Sequence, residues 1–188
     1  MDLAGLIRII DPTLSTPTLA EFEKAWKVSW VPKGKILARQ GDPVSSELVI
    51  LDGRAISQIT DYDGRNVCVG FHSSPCIITP HVARTREMTS LVSLELTTDA
   101  TIAELDAAAL VAVMLKSDEV RDWANAVLRE ELARKTDREW CLAALRGAER
   151  LTWFRDRYPD HESQFSHGCI ASFLGMTPVT LSRLRRTA

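Results

Sequence analysis

Along the chain the spacing of apolar and polar positions changes character twice. The first 30 residues read as short helices, with Thr18 and Glu21 in capping-box spacing ahead of Phe22 and Trp26. From Val31 to about Leu105 the apolar runs shorten and turn residues punctuate them. Runs at 35–39, 47–51, 55–60, 66–71, 91–96 and 100–105 predict strands. Their separators, Pro32-Lys33-Gly34, Gly41-Asp42-Pro43, Asp52-Gly53 and Asp63-Gly64, are tight-turn chemistry recurring about every 10 to 12 residues. That grammar belongs to an antiparallel sandwich or barrel, and a jelly roll is the economical arrangement.

Beyond Asp106 the turn signals vanish and helical periodicity takes over. A first helix is predicted over 106–115 and a longer one, opened by Ser117 and Asp118, over 118–145 ahead of Gly147. Its roughly 28 residues span about 42 Å. Val120, Ala124, Val127 and Leu128 form an apolar stripe longer than one small domain needs to cover itself, and Trp123 and Trp140 add apolar surface. A helix pair across a dimer axis would use that stripe; the alternative is a helix lying back on the sheet.

The tail carries the most information. Leu151, Phe154 and Tyr158 share one face of a helix over 148–158, stopped by Pro159. After a polar loop, Ser166 caps a helix bearing Ile170, Ala171, Phe173 and Leu174, ended by Gly175. Thr177 then takes the N-cap and Pro178 the first helical position. Leu181 and Leu184 face inward, leaving Thr180, Arg183, Arg185 and Arg186 to face out. Helix, three-residue turn, helix is helix-turn-helix grammar, and the small Ala171 suits a close crossing. The expected organisation is N-terminal helices and β-roll over 1–117, a dimerisation helix over 118–145 and a helix-turn-helix over 146–188. The fold class is α+β, an antiparallel β jelly roll joined by a long helix to a C-terminal helix-turn-helix.

Composition narrows the function. The 188 residues, 45% apolar and 26% charged, are one large domain or two small ones. No apolar run reaches the roughly 18 to 20 residues of a bilayer-spanning helix, and Arg8 is the lone basic residue ahead of Lys24, so a cytoplasmic protein with no membrane association is expected. The net charge of −2 hides an asymmetry: residues 1–128 hold 12 Lys and Arg against 17 Asp and Glu, residues 129–188 hold 11 against 8. All of those last basic residues except Lys135 are arginine, whose planar fork suits phosphate and guanine edges; the bland alternative is a solvated helix surface.

Cys68, Cys76, Cys141 and Cys169 show no Cys-x-x-Cys spacing, so buried free thiols are expected, with no disulfide or metal framework. An enzyme of the cupin kind would need clustered metal ligands. His72, His81 and Glu87 are badly spaced for that, His161 and His167 lie in the tail, and no phosphate loop or nucleophile motif is present, so neither catalytic residues nor a metal are expected.

The blocks Val31-Pro-Lys-Gly-Lys-Ile-Leu, Gly41-Asp42, Glu47-Leu-Val-Ile-Leu-Asp-Gly53 and Asp63-Gly-Arg-Asn, the tail Ile170-Ala-Ser-Phe-Leu-Gly-Met-Thr-Pro-Val-Thr-Leu-Ser-Arg-Leu-Arg, and Arg150, Phe154 and Tyr158-Pro159 stand together. From about residue 20 onward the chain resembles the Crp-Fnr transcription regulators, in which a cyclic-nucleotide-binding-like jelly roll is joined by a dimer helix to a helix-turn-helix. The resemblance implies a homodimer on double-stranded DNA, through Val120, Ala124, Val127 and Leu128, with a small-molecule effector possible in the roll and no cofactor identified. It implies DNA contacts from Thr177, Pro178, Val179, Thr180, Ser182, Arg183, Arg185 and Arg186, with Arg183 as the base reader and Arg185 and Arg186 on phosphates.

Departures from the family pattern are as informative. The phosphate cassette of cyclic-nucleotide binders opens with Gly-Glu and carries an Arg followed by Ser or Thr some ten residues later. Here the corresponding stretch is Ser74-Pro75-Cys76-Ile77-Ile78, and Met88-Thr89-Ser90 stands where the Arg should fall. Arg84, Arg86 and Ser90 are left as weak pocket candidates, and a regulator that does not answer to cyclic AMP is expected. A sensory module whose tail binds a protein partner is the alternative.

Overall fold

A computed structural model of the chain describes residues 1–187. They form two compact units: Met1–Ser57 with Phe71–Glu131, and Gln58–Gly70 with the chain from Leu132 onward.

The first unit opens with α1 (Leu3–Ile10), capped by the Asp2 carboxylate, and α2 (Thr16–Lys24). The cap of α2 is Ser15, whose hydroxyl accepts the Thr18 N–H, and not Thr18 as the capping-box spacing predicts; Pro17 in the first turn lets the helix start earlier. The strand β1 (Lys27–Val31) also starts sooner than the pattern suggests. Lys27, Val28 and Trp30 are exposed on this sheet-edge strand, so its sequence lacks the inside-outside alternation that marks a strand.

The six expected strands all form. In chain order the sheet elements are β2 (Ile36–Ala38), β3 (Ser46–Asp52), β4 (Arg54–Thr60), β5 (Asn66–Ser73), β6 (Cys76–Ile77), β7 (Thr85–Arg86), β8 (Thr89–Ser90), β9 (Ser93–Leu96) and β10 (Ala100–Asp106). They make two four-stranded sheets, β1-β10-β3-β6 and β2-β9-β4-β5, as a jelly roll requires, and a small β7-β8 ribbon. Register is antiparallel, with Ser29 opposite Ile102 and Val49 opposite Ala103. At the β3–β4 turn Gly53 has φ +101°, and a Cβ there would meet the Asp99 carbonyl oxygen at 2.5 Å, so no other residue fits.

A single-turn helix, α3 (His81–Arg84), follows β6. Then α4 (Ala107–Met114), capped by Asp106, and α5 (Asp118–Ala144) take the places the sequence assigns to them. The core joins Val49, Ala103 and Leu105 of the sheet to Leu3, Leu6, Ile7, Phe22, Trp26, Leu110, Val120 and Trp123. Phe22 stands edge-on to Trp26 and Trp123, with ring centres 5.9 and 5.1 Å apart.

That core takes up most of the apolar stripe of α5. Val120 is 1% exposed, and Ala124 and Val127 pack against the same cluster, because positions 120, 124 and 127 lie on one helical face and that face covers the first unit. Leu128 is half-buried, whereas Leu132, one turn on, is 56% exposed.

The second unit consists of the outer part of the β4–β5 hairpin, the later half of α5, α6 (Gly147–Arg157), α7 (His161–Gln164), α8 (His167–Phe173) and α9 (Pro178–Thr187). α5 is divided between the units, and the hairpin residues 58–70 group with the tail.

Candidate nucleic-acid interface

The second unit has a small apolar centre of Leu151, Phe154, Ile170, Ala171, Phe173, Leu174 and Leu181, each at most 2% exposed. Phe154, Tyr158 and Phe173 form an aromatic triangle with ring centres 5.2 to 5.9 Å apart. Arginines close this centre. Arg150 donates Nε to the Leu145 carbonyl at 2.9 Å, Nη1 to Leu174 at 3.0 Å and Nη2 to Leu142 at 2.8 Å, tying the last turns of α5 and α8 together. Arg138 donates to the Phe173 carbonyl at 3.1 Å and lies 4.6 Å from the centre of its ring.

The hydroxyl of Ser166 caps α8, accepting the Cys169 N–H at 3.2 Å. Past the end of α8, Met176 N–H reaches back to the Ala171 carbonyl at 3.0 Å and Gly175 takes φ +65°, the left-handed geometry that terminates helices. Thr177 then accepts the Thr180 N–H at 3.1 Å, and α9 starts with Pro178 as the sequence predicts.

At 100° per residue, Leu181 and Arg185 fall on one side of α9 while Val179, Ser182, Arg183 and Arg186 fall on the other. Leu181 is wholly buried; Val179, Thr180, Ser182, Arg183 and Arg186 are exposed, as are Thr177 and Pro178 at the start. Arg185 is not outward-facing as expected. Four residues after Leu181, it turns inward, donating Nε to Glu162 at 2.8 Å and meeting Nδ1 of His167 at 2.7 Å. Glu162 also receives Arg155 Nε at 2.6 Å. Burial works against ionisation of this carboxyl, but hydrogen bonds from the two arginines outweigh it and hold Glu162 below the usual carboxylate range. Nε2 of His167 meets the Pro178 carbonyl at 2.8 Å, fastening the start of α9. Sequence reasoning missed this network; the four-residue step from Leu181 to Arg185 was the signal available.

Of the weak pocket candidates, Arg84 and Ser90 are bonded to carbonyls of the fold. Arg84, 2% exposed, donates Nε to the Thr79 carbonyl at 3.0 Å and Nη2 to the Ser46 carbonyl, and faces Glu47. Burial pushes the Glu47 carboxyl up, opposed by the His81 N–H that it accepts at 2.8 Å. The Ser90 hydroxyl donates to the Val92 carbonyl, and Arg86 is exposed on β7. The one-turn helix after β6 begins at Pro80-His81, not within 74–78, and it too lacks Gly-Glu. A cavity of about 320 Å³ lies elsewhere in the first unit, walled by Trp26, Leu110, Met114, Trp123 and Val127, with Glu47 and His81 supplying polarity. The indole N–H groups of both tryptophans are buried with no hydrogen-bond partner among the described residues.

His72 pairs with Ser57 at 2.7 Å and Nε2 of His81 meets the Val44 carbonyl at 2.8 Å, so the cupin-like set is not assembled. Among the described residues there is no metal-holding cluster of His, Cys, Asp and Glu, and no helix is long and apolar enough to cross a membrane.

No protein-family model matches the chain, and no curated protein matches it in sequence. Solved structures do. FixK2 from Bradyrhizobium japonicum superposes with a TM-score of 0.73 at 17% identity over 86% of this chain and 83% of that one. The global regulator CLP of Xanthomonas campestris, described as responsive to c-di-GMP, gives 0.72 at 18% identity over 92% and 91%. A protein of Eubacterium rectale assigned to the crp/fnr family of transcriptional regulators gives 0.71 at 17% over 94% and 84%. The two four-stranded sheets, the long helix and the helix-turn-helix at the C-terminal end thus make up the fold seen in the Crp/Fnr transcription regulators.

Proposed function

We propose that the protein is a dimeric, sequence-specific DNA-binding transcription regulator. The observation that carries this reading is the outer face of α9: Val179, Ser182, Arg183 and Arg186 exposed together on a helix anchored from behind by Leu181 and Arg185. Arg183 lies five residues past Pro178, about 7.5 Å along the axis, and reaches a guanine edge when the start of α9 enters the major groove. Arg186 meets phosphate, Thr180 and Ser182 meet phosphate or a base edge, and Thr177, Pro178 and Val179 line the entering end. The dimer forms through α5, and the exposed Leu132 with half-buried Leu128 one turn before it supports that choice of face.

In this reading cyclic AMP is not the effector: of the two arginines near the expected place, Arg84 already serves backbone carbonyls and Arg86 is exposed on β7. The apolar walls of the first unit's cavity favour an uncharged apolar molecule.

Selection of binding sites from random duplex DNA tests the reading. The expected product is an inverted repeat with half-site centres about 34 to 36 Å apart, unaffected by cyclic AMP. A pool with no enrichment, alongside a stable complex with a protein partner, would instead make the tail a protein-binding module.

A further inference from the structure

A single imidazole links the two helices of the helix-turn-helix. His167 is the first residue of α8, and its ring meets both the first residue and the last turn of α9. Nε2 lies 2.8 Å from the Pro178 carbonyl oxygen, and Nδ1 lies 2.7 Å from Nη1 of Arg185. These partners settle where the ring proton sits. A carbonyl oxygen only accepts and a guanidinium only donates, so Nε2 carries the hydrogen and Nδ1 offers its lone pair. Both bonds exist together in one form of the side chain alone, the neutral Nε2–H tautomer. A second proton on the ring sets an N–H on Nδ1 against the Arg185 N–H, donor against donor and cation against cation. Among the described residues the charged groups gathered here are Arg185 of α9, Glu162 of α7 and Arg155 of α6, and both Glu162 oxygens are already engaged, Oε1 by Arg185 and Oε2 by Arg155. The cluster thus holds two arginines against one glutamate before the imidazole takes a charge. Nη2 of Arg185 is buried with no partner among the described residues, so loss of the His167 acceptor leaves both terminal nitrogens of that guanidinium unpaired.

We propose that His167 is a proton-sensitive positioning residue for α9: neutral, it clamps the start of that helix and its Arg185 to α8, and protonated, it releases Arg185 and lowers affinity for DNA. The inference rests on the reading of α9 as the DNA-facing helix. Imidazole is the side chain that ordinarily exchanges a proton between about pH 5 and 8, and this ring is only half-buried, within reach of solvent protons. The sign follows from the tautomer. The clamp is complete at the alkaline end of that range and is lost as pH falls and the ring takes its second proton. His167 lies behind α9 with Arg185, while Arg183 stands on the opposite side of the helix, so acidification weakens binding without changing which bases are preferred.

The test pairs nitrogen-15 spectra of the histidine rings in the free full-length chain with DNA binding across pH. The His167 ring, assigned from the backbone, is expected to show the Nε2–H tautomer at pH 8. Binding to the selected duplex should fall about tenfold between pH 8 and pH 5.5, as the loss of one hydrogen bond to a charged group implies, with the order of base preference kept. His167→Gln keeps an amide donor for the Pro178 carbonyl but takes up no proton, so its affinity should stay nearly level over the same range, whereas any effect of the other histidines would persist in it. Should His167→Gln fail to fold, Arg185→Gln decides: its amide turns an oxygen towards a protonated ring, so the pH dependence must flatten there as well. An Nδ1–H tautomer at pH 8, an affinity that holds or rises on acidification, or a pH dependence left intact by the deciding substitution overturns the inference. A chain that binds no duplex at any pH removes the DNA reading, and the clamp is then judged on the free protein. Hydrogen-exchange protection of the Thr180 and Leu181 amides, which bond to Thr177, must fall as the ring protonates, and equal protection in both ring states overturns the clamp.

Discussion

The two units handle the same problem with different chemistry. The first joins sheet and helices through an apolar core with Phe22, Trp26 and Trp123 at its centre. The second has fewer residues and so a smaller core, and it adds arginines on backbone carbonyls and carboxylates: Arg138, Arg150, Arg155, Arg157 and Arg185 all have such partners. The lesson is that an arginine-rich tail is not a measure of its exposed basic surface. Much of that charge holds the unit together, and the outer face of α9 carries Arg183 and Arg186.

If this contrast is right, truncating an aromatic should hurt the first unit most. Phe22→Ala is expected to destabilise it by about 4 kcal/mol, seen as lost hydrogen-exchange protection in α1, α2 and β10. Arg150→Ala should cost the second unit about 3 kcal/mol, since three carbonyls lose a charged donor together, with protection falling in α6 and α8 and unchanged in β3 and β10. Equal losses across both units from either variant would erase the distinction.

The acid limb sharpens the comparison with a smaller effect of opposite sign in the two units. Glu162 ionises more easily in the fold, so its stabilisation is present above the ordinary glutamate pKa of about 4.3 and is lost as pH falls through its lower folded value. Glu47 is pushed up, so the folded first unit takes up its proton sooner, and that group adds stability as pH falls from its raised value towards about 4.3. Unfolding curves of Glu162→Gln and Glu47→Gln against pH should therefore deviate from the parent chain in opposite directions.

The strands were legible because turn glycines punctuate them; Gly34, Gly41, Gly53 and Gly64 all adopt positive φ. The caps at Ser166 and Thr177 were legible because each cap has a local chemistry. β1 was not, since an edge strand need not alternate, and α3 and α7 were not, since one turn shows no period. Periodicity identified the face of α5 that carries Val120, Ala124 and Val127 but not what covers it, and α9 was misjudged at Arg185 for the same reason.

The outer face of α9 is best tested by pairing Arg183→Ala with Arg185→Ala and measuring binding to the selected site, to single-base variants of it and to unrelated duplex, alongside thermal unfolding. Arg183→Ala should weaken the specific site by about 1 to 3 kcal/mol and relax preference at one base pair. Arg185→Ala should lower the unfolding temperature and leave base preference intact, because its partners are Glu162 and His167. The account is contradicted if Arg183→Ala retains both affinity and base preference, or if Arg185→Ala is the variant that changes which base is chosen.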